Sequence, residues 1–477
     1  MKTTFLIPPP LDGKLSAERI FGCNYGIYYQ PNIFILYSMA VLEEAGCETC
    51  FIDCVIDGID RKGFIDFIKR DNSDIYIFYT VFLSRETDLI ARELIKEIKP
   101  SAKFIYLSTE PTSNPNIFVD RDSFVIRGEP EETIKELVLR LKQNGDLADI
   151  KGITYLKGKE KVSNSYRDII DNLDTLPFPK RDILRRERYN NPKLSRLPFT
   201  AVLSSRGCPH RCNYCVPNSL SFAREIEHRK HRENKPPIRL RSAGNVIDEI
   251  KILYEEGYRS FSFIDDEFTI SRDRVIDICH GIKDFRLEWS CLARADHLTD
   301  KEMVKSMSEA GCRYIDIGIE SFKQEILDYI KKDLKIEDLY IAVDLLNKYN
   351  IEPELNILFG SSPLETKETI EYTLKKVKNL NVDYVLFSIC TPFPNTEFNR
   401  IAKKEGWMIE DEYRAIDPIK ESFISYPHLP KEELERIIKK AYMTFYFRPS
   451  YIIRRLIKIK SFTDFINKAK AAITILR

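Results

Sequence analysis

The chain of 477 residues has no long apolar run and no excess of charge of one sign. No stretch approaches the roughly 18 to 20 apolar residues that a transmembrane helix requires, and the apolar run near the N-terminus is too short for a signal peptide. The 74 Lys and Arg residues are balanced by 73 Asp and Glu residues, which leaves a formal net charge of +1. Proteins that bind nucleic-acid phosphates are usually strongly basic. We therefore expect a cytoplasmic protein that has no nucleic-acid partner.

Composition excludes two further classes of protein. Hydrophobic residues make up 43% of the chain, which is too many for an intrinsically disordered protein. The 11 cysteines occur without a secretory signal, which argues against a disulfide framework and for reduced thiols that include metal ligands. At roughly 150 residues per domain, the length predicts about three compact units.

The order of the apolar segments predicts an α/β protein with four parts. Residues 1–142 alternate short strand-like runs with helical stretches, which is typical of a doubly wound, Rossmann-like parallel sheet. Residues 143–198 contain a weak hairpin and a polar run punctuated by prolines, and we interpret them as a linker. Residues 199–398 repeat the alternation in six strand–helix units, which predicts a partial (β/α)6 barrel of the TIM type. Residues 399–477 lack strand signals and are predicted to be helical.

Three cysteines, Cys208, Cys212 and Cys215, form a C-x3-C-x2-C loop directly after a predicted strand. Thiolates are soft ligands that suit iron–sulfur clusters, and a [4Fe–4S] cluster usually takes four of them. Three thiolates would leave one iron open to a substrate. The alternative is a structural zinc ion with His210 as the fourth ligand, although these positions are crowded for the usual zinc pairs.

The cysteine loop, with the aromatic Tyr214 before its third cysteine, resembles the cluster-binding motif of the radical S-adenosylmethionine (SAM) enzymes. Later segments resemble, in order, those of the cobalamin-dependent subfamily: RLRSAGNVIDEI, FSFIDDEFT, WSCLARADHL, AGCRYIDIGIES, ILFGSSPLETKETIEYT, CTPFPNTEF and FYFRPSYIIRRL. The resemblance implies that SAM binds the open iron of a [4Fe–4S] cluster through its amino and carboxylate groups. An electron from a donor such as flavodoxin or ferredoxin would then cleave SAM and release a 5′-deoxyadenosyl radical, which abstracts hydrogen from the substrate.

The resemblance also implies which residues contact SAM, namely Tyr214, Asp266, Arg294, Glu320 and Ser321. Asp266 ends a predicted strand between two further acids, Asp265 and Glu267, and such acids could bind the amine or the ribose of SAM, or only cap the next helix. Glu320 and Ser321 resemble the family's ribose and sulfonium contacts, and a buried carboxylate without a cationic partner would be costly, which favours this role. Arg294 could pair with the methionine carboxylate, or form a structural ion pair with Asp296 or Asp316.

The N-terminal part resembles the cobalamin-binding domains of the same subfamily but departs from them at two points. All 6 histidines lie at or beyond position 210, so a histidine ligand to the cobalt would have to come from outside this domain. Ser108 and Thr109 replace a Gly-Gly pair, so two Cβ atoms stand where the backbone would approach the cofactor. If cobalamin binds, we expect it to face Thr80, the turn at 108–110, Gly128 and Glu129. The alternative is a vestigial domain that only packs on the barrel.

The other cysteines do not indicate a second cluster. Cys47, Cys50 and Cys54 form a C-x2-C-x3-C run, but they fall at a helix end and on the following strand, where small thiols pack as apolar residues. Four more lie in helical or strand patterns without close partners, namely Cys279, Cys291, Cys312 and Cys390. We expect these cysteines to be core residues and expect no auxiliary cluster.

The near-zero net charge hides a strongly basic C-terminus. From Lys439 to Arg477 the chain has ten Lys or Arg and one acid, Asp464, and the cations are interleaved with aromatic and aliphatic residues. This pattern is typical of a helix lying on an anionic membrane surface, which would suit a lipid-like substrate and a membrane-peripheral location. It equally suits a helix packed on the barrel with solvated lysines, so both interpretations stay open.

The sequence therefore predicts radical SAM chemistry at a [4Fe–4S] cluster, directed to cobalamin-dependent methylation of an unactivated carbon. The substrate is expected to be a small or lipid-like molecule. The first alternative is a rearrangement, cyclisation or carbon–carbon coupling without methyl transfer. The second alternative is a metalloprotein without catalytic activity.

Overall fold

The computed structural model describes residues 2–14, 19–21, 29–410, 417, 419–449 and 451–453. The chain divides into two compact units. The first unit comprises residues 1–209, 216–292 and 309–312, and the second comprises 210–215, 293–308 and 313–477. In the described part of the chain, no helix combines the length and the apolar character needed to cross a membrane.

A seven-stranded sheet in the first unit is built from the N-terminal part of the chain. Its strands are β1 (Lys2–Ile7), β2 (Glu48–Asp53), β3 (Ile75–Tyr79), β4 (Lys103–Leu107), β5 (Ser123–Ile126), β6 (Ile153–Lys157) and β7 (Glu160–Ser163). The spatial order is β2-β1-β3-β4-β5-β6-β7. Strands β1 to β5 are parallel, whereas β6 and β7 are antiparallel. The order reverses between β1 and β3, which is where doubly wound sheets bind ligands, and the predicted Rossmann-like sheet is thus confirmed.

Seven α-helices of the described residues alternate with the strands of this sheet. They are α1 (Ile33–Glu44), α2 (Cys54–Asp57), α3 (Arg61–Arg70), α4 (Arg85–Ile98), α5 (Thr109–Ser113), α6 (Pro115–Phe118) and α7 (Glu131–Lys142). Every residue of β3 is buried, as expected for a parallel strand with helices on both faces. Phe64, Phe78, Phe104 and Tyr106 belong to the core between strands and helices. The hairpin of β6 and β7 pairs with β5, so the sheet continues beyond the predicted boundary at residue 142.

A second parallel arrangement begins after residue 198. Its first strands are β8 (Phe199–Val202), β11 (Ser260–Phe263) and β12 (Glu288–Ala293). The short strands β9 (Ser205–Arg206) and β10 (Arg239–Leu240) form a separate antiparallel pair. The helices in this stretch are α8 (Ser219–Arg232), α9 (Ala243–Glu255), α10 (Arg272–Ile282) and α11 (Lys301–Glu309). In the first unit, β11 pairs in parallel with both β8 and β12. The buried Trp289 packs against Phe261, Phe263 and Phe268, which forms the apolar centre of this layer.

The second unit contains three parallel strands, β13 (Cys312–Glu320), β14 (Glu352–Phe359) and β15 (Tyr384–Ile389), with β14 paired to both others. Its helices are α12 (Gln324–Tyr329), α13 (Ile336–Lys348), α14 (Lys367–Asn379), α15 (Glu397–Lys404) and α16 (Lys431–Tyr446). Tyr442 and Tyr446 of α16 each bond the backbone N–H and C=O of one β15 residue, which satisfies polar groups of an edge strand.

Six parallel strands with intervening helices thus follow residue 198, three in each unit, as the sequence predicts. Their closure into a partial barrel stays a prediction, as do the predicted domain boundaries. The C-terminal region is helical in α15 and α16. Residues 454–477, which hold most of the basic tail, lie outside the described residues.

Candidate active site

The cysteine loop leaves β9 through a turn that depends on a glycine. Gly207 has a φ of +96°, a conformation that favours glycine. A Cβ atom at this position would also collide with the guanidinium of Arg224 on α8. Both the turn and the close approach therefore require glycine directly before Cys208.

The thiols of this loop lie in different surroundings from the core cysteines. Cys208 and Cys212 are half-buried and Cys215 is exposed. Six of the cysteines predicted to be core residues are confirmed as buried: Cys47, Cys54, Cys279, Cys291, Cys312 and Cys390. Cys50, which is also predicted to be a core residue, is half-buried. Burial raises the pKa of the thiols of Cys54, Cys279 and Cys390, which keeps them protonated and unsuited to metals.

The donor set of the loop suits an iron–sulfur cluster. Among the described residues, no three Cys, His, Asp or Glu side chains are gathered closely enough to be recognised as a metal site by geometry alone. The assignment therefore depends on the chemistry and spacing of three accessible thiols at the end of a strand. Three soft sulfur donors without a fourth match a [4Fe–4S] cluster with one open iron better than a structural zinc ion.

Asp266 fixes both ends of the cysteine loop. One carboxylate oxygen accepts from the backbone N–H of Gly207 at 3.1 Å, and the other accepts from the N–H of Asn218 at 2.6 Å. Asn218 in turn caps α8 through the N–H of Ser221. Burial raises the pKa of Asp266 to about 6. The structure thus gives this predicted SAM ligand a positioning function for the loop, while contact with SAM stays a prediction.

The two neighbouring acids also hold backbone. Asp265 accepts from the N–H of Ser204 at 2.7 Å and from the hydroxyl of Ser205 at 2.6 Å. Glu267 caps the short turn after β11 by accepting from the N–H of Thr269 at 2.8 Å. Glu267 thus caps this turn and not the helix that begins at Arg272, whose N-cap residue is Ser271.

Glu129 is the centre of a buried ion-pair network, while its predicted contact with cobalamin stays a prediction. Its carboxylate lies 2.6 Å from Arg239 and 3.4 Å from Arg206, and it accepts from the N–H of Ile170. Arg206 also pairs with Glu131 at 2.6 Å. Burial raises the pKa of Glu129, but the arginine charges outweigh burial and hold that pKa below its usual value. Both oxygens of this carboxylate are thus used within the protein.

The hydroxyl of Thr80, at the carboxyl end of β3, is likewise engaged. It donates to Asp88 at 2.7 Å, and Asp88 forms a bidentate ion pair with Arg19 at 2.9 and 3.0 Å. Arg19 also donates to the carbonyl of Tyr79 at 2.8 Å. Arg19, Thr80 and Asp88 thus form a buried hydrogen-bonded cluster at the carboxyl end of β3, where the strand order of the sheet reverses. Sequence patterns do not indicate it, because Arg19 and Asp88 lie far apart in the chain.

The backbone after β4 has a conformation that glycine usually adopts, although Ser108 stands there. Ser108 has φ +89° and ψ −158°, a region that almost only glycine occupies and that costs a residue with a side chain about 1–3 kcal/mol. The hydroxyl of Thr109 and one carboxylate oxygen of Glu110 are buried without a hydrogen-bond partner among the described residues. In the turn after β5, Gly128 donates its N–H to the hydroxyl of Thr112 at 3.1 Å. The turn at 108–110 is therefore a strained site with unused polar atoms.

In the second unit, Glu320 ends β13 at an irregular position. The strand register shifts between Gly318 and Glu320, and Glu320 has a φ of +67°. Lys332 lies 2.9 Å from its carboxylate and 3.4 Å from the hydroxyl of Tyr214. A Cβ atom on Gly318 would lie 2.7 Å from the Glu320 carboxylate and 2.9 Å from the Lys332 ammonium, so the pair requires glycine there.

This arrangement corrects one premise of the sequence argument. A buried carboxylate at 320 without a cation would favour a role in SAM binding, but Lys332 supplies a cation at 2.9 Å. Lys332 was not identified from the sequence, because IKKDLK resembles an ordinary solvated run. Burial and then the Glu320 charge raise the pKa of the Tyr214 hydroxyl, so it stays a hydrogen-bond donor.

Arg294 forms the structural ion pair that the sequence left open. Its Nε and Nη2 lie 3.0 and 3.1 Å from the two carboxylate oxygens of Asp296. It also donates to the carbonyls of Lys332 and Asp333, which holds the turn that carries Lys332. The hydroxyl of Ser321 accepts from the N–H of Lys323 at 3.2 Å. Direct SAM contacts of both residues stay predictions.

Comparison with known proteins places this site in a family. Residues 202–362 match the profile of the Radical SAM superfamily. The uncharacterized methyltransferase PH0819 of Pyrococcus horikoshii is 33% identical over 474 residues, which cover 97% of this chain and 96% of that protein. The chain is a member of the radical SAM superfamily.

This radical SAM enzyme is also similar to a curated cyclase and to a solved structure. The anaerobic magnesium-protoporphyrin IX monomethyl ester cyclase of Cereibacter sphaeroides is 26% identical over 408 residues, which cover 82% of this chain and 63% of the cyclase. The structure of the cobalamin-dependent S-adenosylmethionine radical enzyme OxsB, with aqua-cobalamin and S-adenosylmethionine bound, matches with a TM-score of 0.72 at 16% identity. That match covers 99% of this chain and 70% of OxsB, and it shows a shared fold.

Membership in this superfamily implies that a [4Fe–4S] cluster and SAM are the cofactors of the enzyme. The matched range includes the cysteine loop, Asp266, Arg294, Glu320 and Lys332. A non-catalytic zinc protein is therefore excluded as the interpretation of the loop.

Proposed function

We propose that this radical SAM enzyme methylates an unactivated carbon of a small or lipid-like molecule in a cobalamin-dependent reaction. The proposal depends on two features that occur in one chain. One is the three-cysteine loop, and the other is a doubly wound sheet in which the turn after β4 buries polar atoms without a partner among the described residues. The description of the relative PH0819 as a methyltransferase and the cobalamin in OxsB support the same reaction class.

The end of β4 fits a corrin on physical grounds. The hydroxyl of Thr109 and the carboxylate of Glu110 have hydrogen-bonding capacity that the described protein leaves unused, and buried polar atoms rarely stay unpaired. The peripheral amides of a corrin can supply the missing partners. The strained backbone of Ser108 is the kind of outlier that marks functional sites. No histidine of this domain is available to the cobalt, because the first histidine of the chain is His210.

The chain itself binds and positions the reacting groups. When bound, the cluster and SAM supply a 5′-deoxyadenosyl radical, and cobalamin supplies the methyl group. Cys208, Cys212 and Cys215 would provide the three thiolates, and Asp266 keeps the ends of their loop in place. A fixed loop limits the freedom of the bound reactants, which is the main way in which a protein assists a cofactor.

The pair of Glu320 and Lys332 suits recognition of SAM at the end of β13. Glu320 can accept hydrogen bonds from the ribose hydroxyls, and Lys332 gives this buried carboxylate a cationic partner at 2.9 Å. The hydroxyl of Tyr214 can donate to the same group or to SAM. Arg294 holds the turn of Lys332 in place through two backbone carbonyls.

A second candidate is an oxidative cyclisation without methyl transfer. The similarity to the anaerobic cyclase of Cereibacter sphaeroides favours it, although this chain covers only 63% of that protein. The two candidates differ in the products of SAM. A methylation consumes the methyl group and forms S-adenosylhomocysteine alongside 5′-deoxyadenosine, whereas a cyclisation forms 5′-deoxyadenosine without S-adenosylhomocysteine.

Product analysis tests the proposal. The full-length enzyme, reconstituted anaerobically with iron, sulfide and cobalamin, would be incubated with dithionite, methyl-deuterated SAM and a metabolite and lipid extract from a deletion strain. We expect both S-adenosylhomocysteine and a deuterated product from the wild type, and neither from a Cys212→Ser variant. Formation of 5′-deoxyadenosine without S-adenosylhomocysteine under turnover would exclude methyl transfer and favour the cyclase.

Two partners complete the proposal. A flavodoxin or ferredoxin would deliver the electron that cleaves SAM. The basic segment 439–477 would contact an anionic membrane if the substrate is a lipid. Salt-sensitive binding to phosphatidylglycerol vesicles supports this contact, and its absence at low salt would rule it out.

A further inference from the structure

Arg224 is a buried cation whose hydrogen-bonding capacity is mostly unused. It lies on α8, is 2% exposed and, like every arginine, carries five N–H donors. The carbonyl of Pro237 accepts from Nη1 at 3.3 Å, and Nε is buried without a partner in the described structure. Burial lowers the pKa of this guanidinium to about 10, as expected for a cation that is poorly compensated.

The charged groups around Arg224 are engaged with other partners. Glu129 pairs with Arg239 and Arg206, and Arg206 also pairs with Glu131. The oxygens of Asp266 accept from backbone N–H groups of the cysteine loop and of α8. The acids nearest to Arg224 therefore supply no hydrogen-bond acceptor to it, and the carbonyl of Pro237 is the acceptor that the described residues provide.

The position of Arg224 indicates what such an acceptor would be. Its guanidinium lies against Gly207, the residue before Cys208, so closely that a side chain at 207 would collide with it. A [4Fe–4S] cluster held by three thiolates is anionic and gains a further negative charge on reduction. Hydrogen bonds and positive charge next to cluster sulfur raise the reduction potential.

We propose that Arg224 donates hydrogen bonds to the cluster bound by the 208–215 loop and raises its reduction potential. The inference depends on the cluster that the proposed function requires. Arg224 acts as a positioning and electrostatic residue and exchanges neither protons nor electrons with the substrate. Its unused N–H donors beside the first cluster ligand carry the inference.

The test is a redox titration of the reconstituted full-length enzyme without SAM, followed by electron paramagnetic resonance. At a given potential, Arg224→Gln should decrease the ratio of reduced to oxidised cluster about tenfold, which corresponds to about 59 mV for a one-electron couple. Arg224→Lys, which keeps the charge but not the fork of donors, should give a smaller shift in the same direction. Arg229→Gln is the matched control, because Arg229 lies on the same helix, is 43% exposed and pairs with Glu225.

Each outcome decides between the alternatives. Equal potentials in Arg224→Gln and Arg229→Gln, at equal iron and sulfide content, overturn the inference. A shift that occurs only when SAM is present also overturns it, because Arg224 would then act on SAM. If Arg224→Gln does not retain a cluster, Arg224→Lys decides in the same way, with an unchanged potential counting against the inference. A wild type that takes up no cluster would instead refute the proposed function.

Discussion

Replacing Lys332 with Met should lower the free energy of unfolding by about 3–5 kcal/mol, because Glu320 then stays buried without its cation. The two charged groups are 2.9 Å apart, and each side chain is 9% exposed. Methionine preserves most of the buried apolar stem, so the loss reports the missing charge rather than a cavity. The contact of Lys332 with the Tyr214 hydroxyl, at 3.4 Å, is longer and contributes less.

Urea titrations of the anaerobically purified enzyme measure this loss. Lys331→Met is the matched control, since Lys331 is the adjacent residue, its side chain is 48% exposed, and its ion pair with Glu397 is a surface pair. Such pairs contribute about 0–1 kcal/mol. The double variant Glu320→Gln with Lys332→Met should regain about 2 kcal/mol relative to the single variant, because no unpaired charge stays buried.

Two results would refute this reasoning. The first is a loss in Lys332→Met no larger than that of the Lys331→Met control. The second is a double variant whose destabilisation equals the sum of the two single losses, because additivity means that the groups do not interact. Either result would also remove the argument that Lys332 is the cationic partner that holds Glu320 in place for SAM.

Three further exchanges test other parts of the structure. Burial raises the pKa of Glu365 to about 8, compared with about 4.3 in the unfolded chain. The contribution of the neutral carboxyl group to stability is therefore complete below about pH 4.3 and is lost as the pH rises through about 8. Glu365→Gln should therefore stabilise the enzyme at about pH 8 but not at about pH 4. Ser108→Gly should raise the free energy of unfolding by about 1 kcal/mol, because glycine adopts a φ of +89° without strain. Tyr446→Phe should cost about 1 kcal/mol, because its hydroxyl bonds both the N–H and the C=O of Val385.

Urea unfolding at several pH values measures the first exchange, with the exposed Glu368→Gln as its control. A Glu365→Gln variant less stable than the wild type at about pH 8 contradicts the buried-acid interpretation. Thermal unfolding measures the other two. A lower melting temperature for Ser108→Gly contradicts the strained turn, and an unchanged one for Tyr446→Phe contradicts the support of β15.

Patterns that are local in the chain were enough to predict much of this enzyme. Three cysteines within eight residues stay on one loop whatever the rest of the fold does, so their spacing was enough to predict the cluster loop. Alternating apolar runs likewise predicted the doubly wound sheet and the second series of parallel strands, because burial on both faces imposes continuous apolar strands. The core positions of Cys279, Cys291, Cys312 and Cys390 followed from the same periodicity.

The polar contacts of the site were decided only by tertiary structure. Asp266 and Gly207 are 59 positions apart, and Glu129 and Arg239 are 110 apart. No local pattern selects one acid among the 73 of this chain for a given donor. For that reason, the sequence could not indicate that Lys332 pairs with Glu320, that Glu129 is paired with two arginines, or that Arg224 Nε is buried without a partner among the described residues. Chain folding determines which charges share a buried site, and the cost of burying an unpaired charge then makes those few pairings specific.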